Sequence, residues 1–271
     1  MASLTTARAA VVPGGSRAAS AAARVVAVTT VIEMMTDQPD RPLALDDMGR
    51  ATHLSPWYFN RVFREITGLP PRRFQTALRM AAAKRLLLTS ALSVSDVCLE
   101  VGYRSLGTFV THFRELVGVS PGTLRGLADV PLPPVPAAGD PQSGGAWRGA
   151  TATVAGSLSA SDDVPRVIFL GLFAYPCPQG VPRACAILGG PGAFRIGAVP
   201  PGRHHLAAAA LPRSGDPQSY LLPEDDDVLV ATGGPGVTAR PGATEVRHLR
   251  LRPKRATDPP LLLVPSALMP A

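Results

Sequence analysis

The chain has 271 residues, 46% of them hydrophobic and 17% charged, so it is long enough for two folded domains and too apolar to be disordered throughout. Its 27 basic and 20 acidic side chains give a net charge of +7, which favours an acidic partner such as nucleic acid. The three cysteines do not form a disulfide framework, and no apolar run reaches the roughly 18 residues of a membrane span.

The first 21 residues are expected to form a disordered arm. This segment is rich in Ala, Ser and Gly and is interrupted by Arg8, Pro13 and Arg17. It therefore lacks the continuous apolar stretch of a secretory signal peptide, and we expect no cleaved leader. The three cysteines, Cys98, Cys177 and Cys185, fall in no CxxC or His-rich pattern and are expected to be free thiols in a reducing cytoplasm, with a Cys177–Cys185 disulfide as the alternative.

A short helix, a turn and a second helix are predicted next. The spacing of apolar residues predicts a helix over Leu45–Thr52, and Ser55 followed by Pro56 is the pair of residue types that begins a helix. Gly68 is suited to end that second helix. The second helix has an apolar stripe at helical spacing, formed by Phe59, Val62, Phe63 and Ile66.

A long helical pattern over 71–88 follows this unit. It carries four basic residues, Arg72, Arg73, Lys84 and Arg85. A helix of about 17 residues spans about 25 Å, which approaches the roughly 34–36 Å between successive major-groove entries on one face of B-DNA. Such a helix would allow one chain to contact two adjacent grooves.

The unit then recurs at a constant offset of 50 residues. The matched pairs are Asp46 with Asp96, Ser55 with Ser105, Phe59 with Phe109, Phe63 with Phe113, Arg64 with Arg114, Glu65 with Glu115, Gly68 with Gly118 and Pro71 with Pro121. The second apolar stripe is Leu106, Phe109, Phe113 and Leu116. An internal repeat of this kind indicates two copies of one supersecondary unit, here the helix-turn-helix.

Residues from about 24 to 125 resemble the DNA-binding domain of the AraC/XylS family of transcriptional regulators. The motifs are LSPWYFNRVFREITGLPPRRF at 54–74, RMAAAKRLL at 79–87 and VSDVCLEVGYRSLGTFVTHFRELVGVSP at 94–121. They cover about a third of the chain and are specific when taken together. The resemblance implies seven helices, two helix-turn-helix units and a rigid connecting helix.

The resemblance also implies which residues face DNA. Base contacts are expected from Trp57, Asn60 and Arg61 in the first recognition helix and from Leu106, Gly107, Thr108 and Thr111 in the second. Phosphate contacts are expected from Tyr58, Arg64, Arg72, Arg73, Arg104 and Arg114. The family usually has Arg at the position of Thr111 and a longer polar residue at Gly107, so the first unit is expected to contribute more base recognition.

The second half of the chain has a different pattern. Residues 129–146 are rich in Pro and Gly and are expected to be a linker. Short apolar runs broken by Gly and Pro then predict an antiparallel β-sandwich over 147–271. The predicted strands are 150–158, 166–173, 184–188, 193–199, 204–211, 228–231 and 245–251. The segment 192–211 weakly resembles the strand, Pro-Gly turn and strand of carboxypeptidase-regulatory-like domains, a resemblance that implies no activity.

Three features of this half resemble metal-, cation- or phosphate-binding motifs but are expected to be ordinary strand, loop and turn residues. His204 and His205 are adjacent, so in a strand they point to opposite faces and are poorly placed to share a metal. The acidic run 224–227 is expected to be a solvated loop. The segment 233–236 is expected to be a hairpin turn, because it lacks the helix and Lys of a phosphate-binding loop. No catalytic set is recognisable, so we expect no enzyme activity, cofactor or metal.

Taken together, these patterns predict a multidomain α + β protein with an N-terminal all-α double helix-turn-helix domain over 22–128 and a C-terminal antiparallel β-sandwich. We expect a cytoplasmic, sequence-specific transcriptional regulator. Its expected partners are double-stranded DNA, RNA polymerase as a second candidate, and a small-molecule or protein ligand of the C-terminal domain, with no membrane. One alternative is that the sandwich is a carbohydrate- or protein-binding module that the helices only localise on DNA. Another is an enzyme with a DNA-binding appendage.

Overall fold

The computed structural model describes residues 14–128, 130, 142–144, 149, 151–161, 164–232, 234, 236–262 and 264, with the backbone alone for 14–19 and 142–144. Residues 14–128 are called the helical part and 142–264 the β part, which together confirm the predicted α + β fold class. The helices are α1 Gly14–Asp37, α2 Leu45–Thr52, α3 Pro56–Thr67, α4 Pro71–Thr89, α5 Val94–Glu100, α6 Leu106–Val117, α7 Pro121–Leu127 and α8 Pro217–Leu221. The strands are β1 Gln142–Gly144, β2 Ala152–Ser159, β3 Arg166–Phe173, β4 Ala184–Leu188, β5 Gly192–Val199, β6 Gly202–Pro212, β7 Leu229–Thr232, β8 Val237–Ala239, β9 Thr244–Arg250 and β10 Arg252–Pro253.

Two predicted irregular segments contain regular structure. Helix α1 begins at Gly14, so residues 14–21 of the expected disordered arm are helical, while 1–13 lie outside the described residues. Strand β1 lies within the expected linker and pairs with β4. Composition predicted neither element, because the first depends on helix propagation and the second on a distant partner strand.

The same signals begin and end the second helix of each helix-turn-helix unit. The hydroxyls of Ser55 and Ser105 accept hydrogen bonds from the backbone N–H groups of residues 58 and 108, at 3.4 and 3.3 Å. Gly68 and Gly118 end the two helices with φ of 78° and 98°, in the left-handed region that glycine adopts without strain. The repeated Ser and Gly residues therefore give α3 and α6 the same length of 12 residues.

The two helix-turn-helix units have separate hydrophobic cores. The first cluster lies among α1, α2, α3 and the start of α4, and its members include Val31, Met35, Met48, Phe59, Phe63 and Phe74. The second lies among the rest of α4, α5, α6 and α7, and its members include Met80, Leu87, Val97, Phe109, Phe113 and Leu124. Phe59 and Phe63 have ring centroids 5.6 Å apart, and the matching pair, Phe109 and Phe113, has them 5.7 Å apart. The residues that repeat in the sequence therefore also pack in the same way in the two units.

The apolar stripe of α6 differs from the prediction at its first residue. Leu106 is 45% exposed, whereas Phe109, Phe113 and Val117 are buried. The prediction that Leu106 is a core residue was wrong, since burial on α6 begins only at Phe109. Its exposure is what a residue facing DNA would need.

The β part is a sandwich of two sheets. One has the strand order β1-β4-β3-β6-β7-β10 with antiparallel pairs, and β8 also pairs with β6. The other has the order β5-β2-β9, in which β2 and β5 are antiparallel and β2 and β9 are parallel. A shared apolar core includes Val154 and Ile196 from the second sheet with Ile168 and Leu170 from the first. The predicted antiparallel sandwich is therefore observed with one parallel pair added.

The hairpin turn expected at 233–236 lies partly outside the described residues, which lack 233 and 235. Both β7 and β8 run antiparallel to the same partner, β6, with Ala207 opposite Thr232 and His204 opposite Val237. Strands β7 and β8 therefore lie in line along β6 and are not paired with each other as a hairpin would be. Similarly, β5 pairs with β2 while β6 pairs with β3, so the turn at 200–202 crosses from one sheet to the other.

The β part packs directly on the helical part. Leu221, Leu262 and Val264 are buried within the second helical cluster. The N–H of Gly180 donates to the Leu116 carbonyl at 2.8 Å, at the end of α6. A Cβ on Gly180 would lie 2.4 Å from the Glu115 carbonyl oxygen, so this close approach needs glycine. The two halves are therefore in contact despite the Pro- and Gly-rich segment between them.

A buried lysine lies at this contact. The side chain of Lys84, on α4, is buried, and its Nζ donates to the Leu262 carbonyl at 3.4 Å. Burial disfavours the charged ammonium and lowers the Lys84 pKa to about 7. Between this value and the ordinary pKa near 10.5, the unfolded chain binds a proton that the folded chain does not. Stability should therefore rise as the pH is raised through this window, by at most about 1.4 kcal/mol per pH unit.

Lys84→Met should remove this pH dependence and increase the free energy of unfolding at pH 7. Urea unfolding at pH 7, 8 and 9 measures the effect. Arg85→Met is the matched control, since Arg85 is the exposed neighbour on the same helix. Parallel stability curves for the parent and Lys84→Met would show that Lys84 is not a buried, readily deprotonated lysine.

Candidate nucleic-acid interface

Helix α3 has one buried face and one polar, exposed face. Phe59, Val62 and Phe63 are completely buried. On the other side Trp57 is 72% exposed, Arg61 is exposed and Asn60 is half-buried. This face therefore combines an exposed aromatic ring with an amide and a guanidinium. Such a face is suited to a ligand with flat rings and hydrogen-bonding edges.

The guanidinium of Arg61 is held in place by its neighbours. Its Cζ lies 5.5 Å from the Trp57 ring centroid and 5.1 Å from the Tyr58 ring centroid, so cation–π attraction acts from both rings. The Arg61 Nε lies 3.9 Å from a Glu65 carboxylate oxygen, and Glu65 also pairs with Arg24 of α1. Contacts of this kind restrict the rotamers of Arg61 while much of its side chain stays in solvent.

The sequence predicted Arg61 as a base-contacting residue but not its cation–π contacts with Trp57 and Tyr58. The signal was present in the spacing, since Trp57 and Tyr58 precede Arg61 by four and three residues and therefore lie beside it on a helix. Tyr58 also packs against the first helical cluster and is half-buried. The Tyr58 ring therefore contacts both the hydrophobic core and the Arg61 guanidinium.

Helix α6 presents a smaller, uncharged set of residues. Leu106, Gly107, Thr108 and Thr111 are all exposed. The Thr108 hydroxyl donates to the Ser105 hydroxyl at 3.2 Å, so part of its hydrogen-bonding capacity is used in the helix cap. A Cβ on Gly107 would have no neighbour nearer than the Ser105 hydroxyl at 4.0 Å, so packing does not require glycine there.

The arginines predicted to contact phosphate are all exposed, but one has a different environment. Two of them, Arg64 and Arg114, lie in the last turns of α3 and α6. Arg72 lies at the start of α4, and Arg104 lies between α5 and α6. Arg73 is also exposed, but its Cζ lies 5.5 Å from the Tyr175 ring centroid in the β part. Arg73 therefore lies where the helical and β parts meet, which the sequence did not predict.

The histidine, cysteine and acidic residues described here make contacts that stabilise the fold and do not form a reactive site. His204 is buried, and its Nε2 donates to the Pro200 carbonyl at 2.8 Å. Cys98 and Cys177 are free thiols, and burial raises the pKa of Cys177 to about 12, so its thiol stays protonated at neutral pH. In the acidic run, Asp225 accepts a 2.6 Å hydrogen bond from Lys254 Nζ. Among the described residues no cluster of His, Cys, Asp and Glu could hold a metal ion, and no helix is long and apolar enough to cross a membrane.

Comparison with known proteins places similarity on the helical part. Residues 48–126 match the family model of a helix-turn-helix domain. The HTH-type transcriptional activator AarP of Providencia stuartii is 32% identical over 83 residues, which are 31% of this chain and 62% of that protein. The HTH-type transcriptional regulator GlxA of Rhizobium meliloti is 33% identical over 99 residues, 36% of this chain and 31% of that protein.

One solved structure was matched as follows. The DNA-binding domain of AdpA, a global transcriptional factor crystallised with a target DNA, is 29% identical. The match covers 38% of this chain and 89% of that one, with a TM-score of 0.33. The chain spans less than two thirds of the length of the curated relatives named above.

Proposed function

We propose that this chain, in which residues 48–126 form a helix-turn-helix domain of the AraC type, is a sequence-specific transcriptional regulator that binds two adjacent major grooves of duplex DNA. The observation that carries the proposal is the pair of matched helices, α3 and α6, each with a buried phenylalanine stripe and an exposed polar face. Helix α4 joins the two units and has 19 residues. Its length of about 28 Å is suited to placing the units roughly one turn of DNA apart.

The exposed faces have the chemistry that base recognition requires. The Arg61 side chain is about half exposed while its guanidinium lies near the Trp57 and Tyr58 rings. An arginine in this arrangement can donate two hydrogen bonds to N7 and O6 of guanine. Asn60 suits adenine, and Leu106 and Thr111 offer methyl groups suited to the thymine methyl.

Phosphate contacts would position these residues along the groove. We assign this role to Tyr58, Arg64, Arg72, Arg73, Arg104 and Arg114, of which all but Tyr58 are charged. The helical domain over 22–128 carries 13 basic and 9 acidic residues, so it contributes +4 of the net charge of +7. The β part would act as a module for a small-molecule or protein ligand, and RNA polymerase is a further candidate partner.

No arrangement in the described residues supports catalysis, so we infer a regulator and no enzyme. Cytoplasmic location follows from this function, because the DNA it regulates lies there. The domain division proposed is 22–128 for DNA binding and 147–271 for the β-sandwich, with the buried contact of Leu221, Leu262 and Val264 between them.

Two substitutions test which helix contributes most base recognition. Arg61→Ala should lower affinity for the preferred site by about 1–3 kcal/mol and relax the base preference at one or two positions in one half-site. Thr111→Ala should have a smaller effect, mainly in the other half-site, because threonine offers one hydroxyl and a methyl. Selection of binding sites from a random duplex pool by the full-length parent and each variant measures both effects.

Arg240→Ala is the matched control, since it removes the same charge from an exposed position of the β part. If Arg61→Ala weakens binding to all sequences by one factor and leaves the selected motif intact, Arg61 contacts phosphate only. An intact motif for Arg61→Ala together with a degraded one for Thr111→Ala would reverse the assignment of the two helices.

A further inference from the structure

We propose that Arg79 is a positioning residue that fixes the geometry of the two recognition helices, so that the protein requires one set distance between its two half-sites. This inference rests on the proposed two-groove binding. It concerns a residue of the connecting helix α4 that is half-buried and lies outside both recognition helices.

The helix-turn-helix units need a device of this kind because their cores are separate. The first cluster includes Phe63 and Phe74, the second includes Phe109 and Phe113, and α4 contributes to both. A single helix that joins two cores sets the distance between them. The helix can still bend, and each core can rotate relative to the helix. Contacts that cross from one unit to the other therefore decide how rigidly the two recognition helices are oriented.

Arg79 makes such a contact on the side of the first unit. Its Nε donates to the Pro39 carbonyl at 2.7 Å, and its Nη2 donates to the Asp40 carbonyl at 2.9 Å. Both carbonyls belong to the segment between α1 and α2. The guanidinium thus holds two successive peptide groups of the first unit against the middle of the connecting helix.

The same segment touches the turn of the second unit. Gly102, with φ of 76°, lies in that turn, and a Cβ there would be 2.3 Å from the Asp40 carbonyl oxygen. The Arg79 Cζ also lies 5.9 Å from the ring centroid of Tyr103, the next residue. Arg79 therefore contacts the first unit through two hydrogen bonds and the second through a cation–π contact.

Tyr103 extends this contact to the second recognition helix. Its hydroxyl is hydrogen-bonded to His112 Nδ1 at 3.1 Å, and its ring centroid lies 5.6 Å from that of Phe109. His112 and Phe109 are both part of α6. A continuous path of contacts thus joins the loop after α1 to α6 through Arg79.

Arginine is the residue type that this path requires. Its planar guanidinium donates two hydrogen bonds in fixed directions while its face lies on an aromatic ring. Lysine has one point charge and no flat face, and methionine keeps the length of the stem without any donor. Arg79→Met should therefore keep the packing against α4 and release the loop and Tyr103.

DNA spacing provides the first test. The full-length parent and Arg79→Met are titrated with duplexes that carry the selected site, or that site with one or two base pairs inserted between its halves. The parent should lose about tenfold or more in affinity for each insertion, because both halves can no longer be engaged at once. Arg79→Met should lose about threefold or less per insertion. Arg85→Met, on the same helix and exposed, should behave as the parent.

The outcomes distinguish this inference from the proposed function. A parent that binds no duplex at all would overturn both. A parent that binds a two-part site but tolerates insertions, or an Arg79→Met variant that is weakened equally at every spacing, would overturn the positioning role alone.

A measurement without DNA covers the case in which Arg79→Met binds too weakly. Spin labels are placed at Arg64→Cys and Arg114→Cys, at the matched ends of α3 and α6, in a Cys185→Ser background. Their distance distribution by pulsed electron paramagnetic resonance should be narrow in the parent and broad in Arg79→Met, with both proteins folded by circular dichroism. Equally narrow distributions would contradict the proposal, as would the same broadening in Arg85→Met.

Discussion

The affinity of the full-length protein for its DNA site should fall about 500-fold when the salt concentration is raised from 50 to 200 mM. Five of the residues proposed to contact phosphate are arginines: Arg64, Arg72, Arg73, Arg104 and Arg114. Each contact releases about 0.9 of a condensed counterion, so the plot of log affinity against log salt should have a slope near −4.5. Fluorescence anisotropy at a series of salt concentrations measures this slope.

Single arginine substitutions make the salt test specific. Arg64→Ala should make the slope less steep by about one and weaken binding to every sequence alike. Arg240→Ala removes an equal charge from the β part and should leave the slope unchanged. A parent slope near zero, or equal effects of the two substitutions, would contradict electrostatic binding through the helical part.

Removal of one core ring should destabilise either helix-turn-helix unit by about 3–5 kcal/mol. Phe63 and Phe113 are both completely buried. The centroid of the Phe63 ring lies 5.6 Å from that of Phe59 and 5.4 Å from that of Phe74. The centroid of the Phe113 ring lies 5.7 Å from that of Phe109. Phe63→Ala and Phe113→Ala each leave a cavity among neighbours that cannot fill it. Urea unfolding of each variant, followed by circular dichroism, measures the loss.

Leu106→Ala is the internal control for this experiment. Leu106 belongs to the same predicted stripe as Phe113 but is 45% exposed, so its truncation should cost less than about 1 kcal/mol. If Phe63→Ala or Phe113→Ala unfolds at the midpoint of the parent, the core of that unit is assigned incorrectly.

The helical part was predictable because its signals are local and occur twice. Ser55 and Ser105 fix the starts of α3 and α6, and Gly68 and Gly118 fix their ends. The bounds predicted from these residues agree with the structure. The buried stripes follow from helical spacing, which fails at the first turn of α6, where Leu106 is exposed.

The parts that the sequence did not predict depend on residues far apart in the chain. Leu221, Leu262 and Val264 complete the core around α4, yet they lie more than 90 residues after α7. The parallel pairing of β2 with β9 and the contact of Arg73 with Tyr175 likewise join distant segments. In the candidate interface, exposure of Trp57, Arg61 and Thr111 followed from the helical pattern, whereas that of Leu106 did not. The Arg79 contacts required the folded loop after α1.

The most direct test of the central claim is to select binding sites for the full-length parent from a random duplex pool. Two recognition helices joined by α4 should enrich a site with two conserved elements whose centres are about 10 base pairs apart, one turn of B-DNA. Recovery of one short element alone would contradict binding to two adjacent grooves, and recovery of no enriched sequence would contradict sequence-specific binding altogether.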